Sequence, residues 1–113
     1  MDIETFRDFC LGLPGTTEDV KWGDHLCFLV ENKIYIMCSL TAPHAFSFKI
    51  EPEAFDELIK RTGVLQAPYS AKRQWALAES LDVFPEHELQ SWVANSRRLV
   101  ISKLTKKLQA KYL

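Results

Sequence analysis

The stretch LCFLVENKIYIMCSL, residues 26 to 40, decides how the rest of the chain is read. Two apolar runs, Leu26–Val30 and Ile34–Leu40, flank Glu31, Asn32 and Lys33. Apolar runs of this length separated by a short polar break predict two antiparallel strands joined by a tight turn, and Asn32 can take the positive φ such a turn needs. Upstream, TTEDVKWGD (16–24) reads as a polar surface loop interrupted by Trp22. Before it, Ile3, Phe6, Phe9, Cys10 and Leu13 recur at steps of three and four, which predicts an amphipathic helix over Asp2–Leu13. Asp2 serves as its cap and Glu4 suits its first turn, while Pro14 and Gly15 end it.

Downstream of the hairpin, Ala45–Ile50 alternates Phe46, Phe48 and Ile50 with Ser47 and Lys49, the pattern of a strand with one side on the core. Pro52 then opens a helix lined by Ala54, Phe55, Leu58 and Ile59 and closed by Thr62 and Gly63. VLQAP (64–68) is a loop or brief strand, Gln74–Ala78 a further strand, and Pro85 the start of the last helix. In that helix Leu89, Trp92, Val93, Leu99, Val100 and Leu104 form a stripe, yet at 3.6 residues per turn Lys103 and Lys107 fall within it. Lysines do not line a core, so the helix is expected to break near Thr105, which can cap a new turn. The order of elements predicts an α+β fold of two layers, a mostly antiparallel sheet with helices packed on one face.

The 113 residues suit one domain spanning 1–113. A content of 47% apolar and 26% charged residues excludes a disordered or collagen-like chain, and no apolar run approaches the roughly 20 residues that cross a bilayer. The opening MDIETFRDFC has acids where a secretory signal carries bases, so a cytoplasmic location and no membrane partner are expected. Cys10, Cys27 and Cys38 form no close pair and read as buried thiols. Charge is distributed unevenly: residues 1–20 hold five acids and one base, whereas residues 97–113 hold six bases and no acid.

Three segments, LPGTTEDVKWGDHLCFLVENKIY (13–35), FKIEPEAFDELIKRTGVLQAPYSAKRQW (48–75) and PEHELQSWVANSRRLVISKLTKKL (85–108), resemble the MmcQ/YjbR family. The signposts are Leu13-Pro14-Gly15, Glu18, Trp22-Gly23, Lys33, Pro52-Glu53, Pro68-Tyr69, Trp75 and the Lys103-Leu104-x-Lys106-Lys107 ending. The resemblance implies a frataxin-like (CyaY-like) fold of double-wing type, and a family designation that includes DNA binding. The chain departs from the family pattern at Ser96-Arg97, where many members have Ser-Tyr, and at Thr105, where they have proline.

Three functional readings are open. In the first, Arg97, Arg98, Lys103, Lys106 and Lys107, with Lys72 and Arg73, contact DNA phosphates. The plain alternative is that bases late in a helix offset its dipole and solvate the surface. In the second, Trp22, Tyr69 and Trp75 line a pocket for a small molecule or protein, against the ordinary use of aromatics as core anchors. Lys33 and Lys49 would extend a positive surface. In the third, Asp2, Glu4, Asp8, Glu18 and Asp19 hold a cation in the manner of the frataxin-like fold, although acids in a first turn are already explained by the helix dipole. No CxxC or HxxxH pairing supports a structural metal, and no G-x-S-x-G, Walker or G-x-G-x-x-G motif supports catalysis or a cofactor. The expectation is therefore a non-enzymatic protein.

Overall fold

In a computed structural model that describes residues 1–112, the hairpin of the opening stretch becomes the centre of a six-stranded antiparallel sheet. Helix α1 (Ile3–Gly12) leads into β1 (Thr16–Lys21), β2 (His25–Val30), β3 (Lys33–Ser39) and β4 (Phe46–Lys49). Helix α2 (Pro52–Leu58), β5 (Val64–Gln66), β6 (Trp75–Ala78) and the long α3 (Glu86–Ser102) follow. A short α4 (Lys106–Gln109) and a 3₁₀ turn (Ala110–Tyr112) close the chain. The strands lie in the order β1-β2-β3-β4-β6-β5.

The expected loop at residues 16–24 is instead the edge strand β1, paired with β2 from Thr16↔Val30 to Lys21↔His25. Composition misleads here because an edge strand borrows its stability from its neighbour's backbone. Charges along it also discourage pairing with other chains. Only its last three residues form a turn, with Trp22 and Gly23 both at positive φ (55° and 78°). The brief segment after Gly63 is the short strand β5, antiparallel to β6.

Strand register sorts the side chains into two faces. One face carries the rows Phe28, Ile36, Phe48, Ala76 and Leu26, Cys38, Phe46, Ala78, Val64. These residues are buried in one cluster with Phe6 and Cys10 of α1, Phe55 and Leu58 of α2, and Leu89, Val93, Val100 and Ile101 of α3. Edge and tilted ring contacts at 5.5–6.3 Å link Phe6, Phe46, Phe48 and Phe84 at its centre. The other face carries Cys27, Met37, Ser47, Leu77 and Leu65, none of which belongs to that cluster. The helices therefore cover one face and leave the other open.

Helix α3 is fixed to the sheet by Ser96, fully buried, whose Oγ donates to the Lys49 carbonyl at 2.5 Å. The helix ends at Ser102 with Lys103 as its C-cap, and Thr105 Oγ1 then accepts from the Leu108 amide to start α4. The break removes the conflict in the stripe: Lys103 and Lys107 are exposed while Leu104 packs against the core.

Candidate functional site

The open face carries a cleft of about 510 Å³, within the range of small-molecule sites. Its floor is the central row of that face, Met37, Ser47 and Leu77. One wall is the β1–β2 turn with Trp22, Asp24 and His25; the other is the β5–β6 loop with Pro68, Tyr69 and Ser70. Strand alternation explains the floor, since each of these residues sits between two that face the helices.

Both walls hold an aromatic in an unusual backbone state. Trp22 (φ 55°) is 68% exposed, and Tyr69 (φ 59°) is fully exposed. A bulky side chain at positive φ is an outlier that costs about 1–3 kcal/mol and persists only where surrounding structure holds it. That structure is visible on both sides of the cleft. The Leu40 amide donates to the Asp24 carbonyl at 2.9 Å behind the first turn. In the second loop, the Ala67 amide donates to the Trp75 carbonyl at 3.2 Å, and the Arg73 amide donates to Gln66 Oε1 at 3.0 Å.

The polar groups of the cleft are few. His25 Nδ1 lies 2.7 Å from Asp24 Oδ1, and because an ionised carboxylate only accepts, Nδ1 carries the proton and Nε2 is left for a ligand. Trp22 meets the His25 ring edge-on with centroids 6.0 Å apart. Ser47 and Ser70 add hydroxyls.

Of the three aromatics that sequence nominates for a pocket, Trp22 and Tyr69 line the cleft and Trp75 does not. Trp75 lies under the Lys49 ammonium, 5.5 Å from the ring centroid. For this pocket sequence reasoning does not nominate His25, Met37, Ser47, Pro68, Ser70 or Leu77. The alternation of Ser47 between Phe46 and Phe48 is the available signal for the floor.

The basic residues divide into engaged and unengaged groups. Arg97 donates to the Pro14 carbonyl at 3.0 Å and stands over the Tyr112 ring. Arg98 pairs with Glu51 at 2.7 Å, Arg73 forks onto Asp56 at 2.8 and 3.0 Å, and Lys111 pairs with Glu31 at 3.3 Å. Among the described residues Lys72, Lys103, Lys106 and Lys107 make no ion pair. The carboxylates respond accordingly. Asn95 and Arg98 hold Glu51 below its ordinary value, Arg73 does the same for Asp56, and Tyr112 with Lys111 for Glu31.

The acidic residues near the first helix are likewise occupied or dispersed. Asp2 Oδ1 caps α1 by accepting from the Thr5 amide at 2.7 Å, Arg7 clamps Glu18, and Asp19 pairs with Lys21. Among the described residues no three His, Cys, Asp or Glu side chains converge as metal ligands. Burial pushes the Cys38 thiol up to about 12 and raises Cys10 and Cys27 as well, so all three stay protonated at neutral pH.

The family model named YjbR matches residues 11–99. The chain belongs to the YjbR family. The fold of this YjbR chain is similar to that of a Deinococcus radiodurans protein with a DUF419 domain, at a TM-score of 0.88 and 24% identity over 97% of this chain and 86% of that one. A Pseudomonas syringae protein is similar at a TM-score of 0.75 and 21% identity, over 88% of this chain and 98% of that one. No curated protein matches the chain significantly. At these identities the two structures speak to the YjbR fold alone.

Proposed function

We propose that this YjbR protein is a non-enzymatic binding module whose open-face cleft takes a flat, largely apolar small molecule. The ligand stacks on Trp22 and Tyr69, rests on Met37 and Leu77, and places a polar edge group against His25. The observation that carries this reading is Tyr69, a fully exposed aromatic held in left-handed backbone. Such a residue contributes no burial and costs strain, so its use lies in contact with something outside the chain. The cleft's size and its mixture of apolar floor and sparse polar groups agree with a small ligand.

A thermal-shift comparison with indole, quinoline and adenosine as probes tests the reading. At least one probe is expected to raise Tm, and Trp22→Ala and Tyr69→Ala are expected to remove that rise without lowering Tm in its absence. No rise with any probe, or an equal rise in the variants, would count against it.

A second reading, contact of nucleic acid with the C-terminal segment, is favoured by Lys103, Lys106 and Lys107, which make no ion pair among the described residues. Anisotropy titrations with labelled duplex and single-stranded DNA at low salt should then weaken for Lys106→Ala/Lys107→Ala. Their salt dependence should also become shallower, by about 0.9 in log–log slope for each duplex phosphate that is no longer neutralised. Unchanged binding would remove those residues from any such interface.

A further inference from the structure

Away from the open-face cleft, the start of β3, the end of β4 and the end of α3 meet around a smaller hollow of about 180 Å³. Three lysines from three different elements, Lys33, Lys49 and Lys103, line it together with Ile34, Val100 and Leu104. We infer that this hollow is a binding site for one compact oxyanion, the phosphate group of a phosphomonoester, held by the Lys33, Lys49 and Lys103 ammonium groups.

Four features support the assignment. First, among the described residues none of the three lysines makes an ion pair, and the one other partner of the Lys49 ammonium is the face of the Trp75 ring, 5.5 Å from its centroid, which an anion need not displace. Second, the acids that sequence would offer as partners are committed elsewhere. Glu31, two residues before Lys33, accepts from Tyr112 Oη at 2.7 Å and from Lys111 at 3.3 Å. Glu51, two residues after Lys49, accepts from Asn95 and Arg98 at 2.7 Å each. Third, the apolar share of the lining lowers the local dielectric, which strengthens attraction for an anion that enters. Burial, with Lys103 close by, already pushes the Lys49 ammonium down, a cost that a bound anion would relieve. Fourth, the helix dipole accounts for Lys103 at the C-terminus of α3 but not for Lys33 and Lys49, which come from strands.

The volume selects the ligand class. It is too small for a drug-sized molecule but holds one tetrahedral group, and three lysines lining a single hollow suit a dianion better than the spaced single charges of a polynucleotide backbone.

The test is calorimetric titration of the full chain with inorganic phosphate and with glycerol 3-phosphate, each against sodium chloride at matched ionic strength. Both phosphates are expected to bind and chloride not to. Lys49→Gln and Lys103→Gln should each weaken binding roughly tenfold or more, while Lys60→Gln, an exposed lysine outside the hollow, stays within about twofold. Lys103 is exposed, so its variant keeps the test decisive if Lys49→Gln fails to fold. Heat equal to that of chloride, or an equal loss in Lys60→Gln, overturns the site. Binding of a single-stranded oligonucleotide that depends on the three lysines, with no response to either phosphate, overturns it in favour of an extended polyanion.

Discussion

The two faces of one sheet are built from neighbouring residues of the same strands, yet they follow different rules. On the helix-covered face Phe28, Ile36 and Phe48 are sealed from water, and none of them sits at positive φ. On the open face Met37, Ser47 and Leu77 floor a cleft whose two aromatics stand exposed on left-handed backbone. The covered face has residues chosen for burial; the open face tolerates strain and exposure that burial would never select. Stability and ligand contact are thus divided by strand alternation, one side chain apart, and each face can be altered with the other as its control.

The largest effect is expected from Phe48→Ala. Phe48 is fully buried and touches the rings of Phe46, Phe84 and Trp92 at 5.5–6.0 Å. Its truncation should cost about 3–5 kcal/mol in urea unfolding, the usual range for a large core aromatic. A loss under about 1 kcal/mol would mean that the covered face is not the store of stability. Ser96→Ala comes next. It removes the hydroxyl that pins α3 to β4 and leaves the Lys49 carbonyl short of a donor, for an expected loss of about 1–3 kcal/mol by the same measurement.

How much of this division is legible in the sequence depends on where each signal is stored. Local signals are readable: the 3–4 spacing of Ile3 to Leu13, the turn after Val30, which closes on Glu31 and Asn32 alone with Lys33 already in β3, and the misfit of Lys103 and Lys107 that points to a break with Thr105 as cap. Strand β1 is not, because Thr16, Thr17, Glu18 and Asp19 look like a loop until β2 supplies their hydrogen bonds. In the candidate site, Trp22 and Tyr69 stand out as aromatics in polar surroundings. The floor does not, since bringing Met37, Ser47 and Leu77 into one row requires the register of three strands. The basic segment is visible as composition, whereas its partners lie far away in sequence: Arg98 is 47 residues from Glu51 and Arg97 is 83 from Pro14.

A smaller effect separates the faces by pH. Arg7 holds Glu18, Asn95 and Arg98 hold Glu51, and Arg61 holds Glu88 below the ordinary carboxylate value of 4.5. These pairs tie α1 to β1, α3 to the start of α2, and the segment after α2 to α3. A carboxylate depressed in the folded state stabilises it fully above the unfolded value, and that contribution disappears as pH falls through the folded one. Tm should therefore hold from pH 7 to about 5 and decline below 4.5. The decline is modest because these pairs are partly exposed. A flat profile down to about pH 3 would show that the ties contribute nothing.

The smallest effect is the most discriminating. Tyr69 makes no buried contact, so its replacement should leave the covered face untouched, but the two simplest replacements are expected to differ from each other. Alanine keeps the Cβ that makes positive φ unfavourable, whereas glycine relieves it. Tyr69→Gly should then exceed Tyr69→Ala in stability by about 1 kcal/mol, even though glycine also raises the entropy of the unfolded chain. Equal stability of the two would show that the backbone there relaxes once the ring is gone, and that the ring rather than the loop dictates the left-handed state. A clear loss in both would place Tyr69 among the residues that hold the fold, and the cleft would be without the argument that its aromatic wall is kept at a cost for an outside partner.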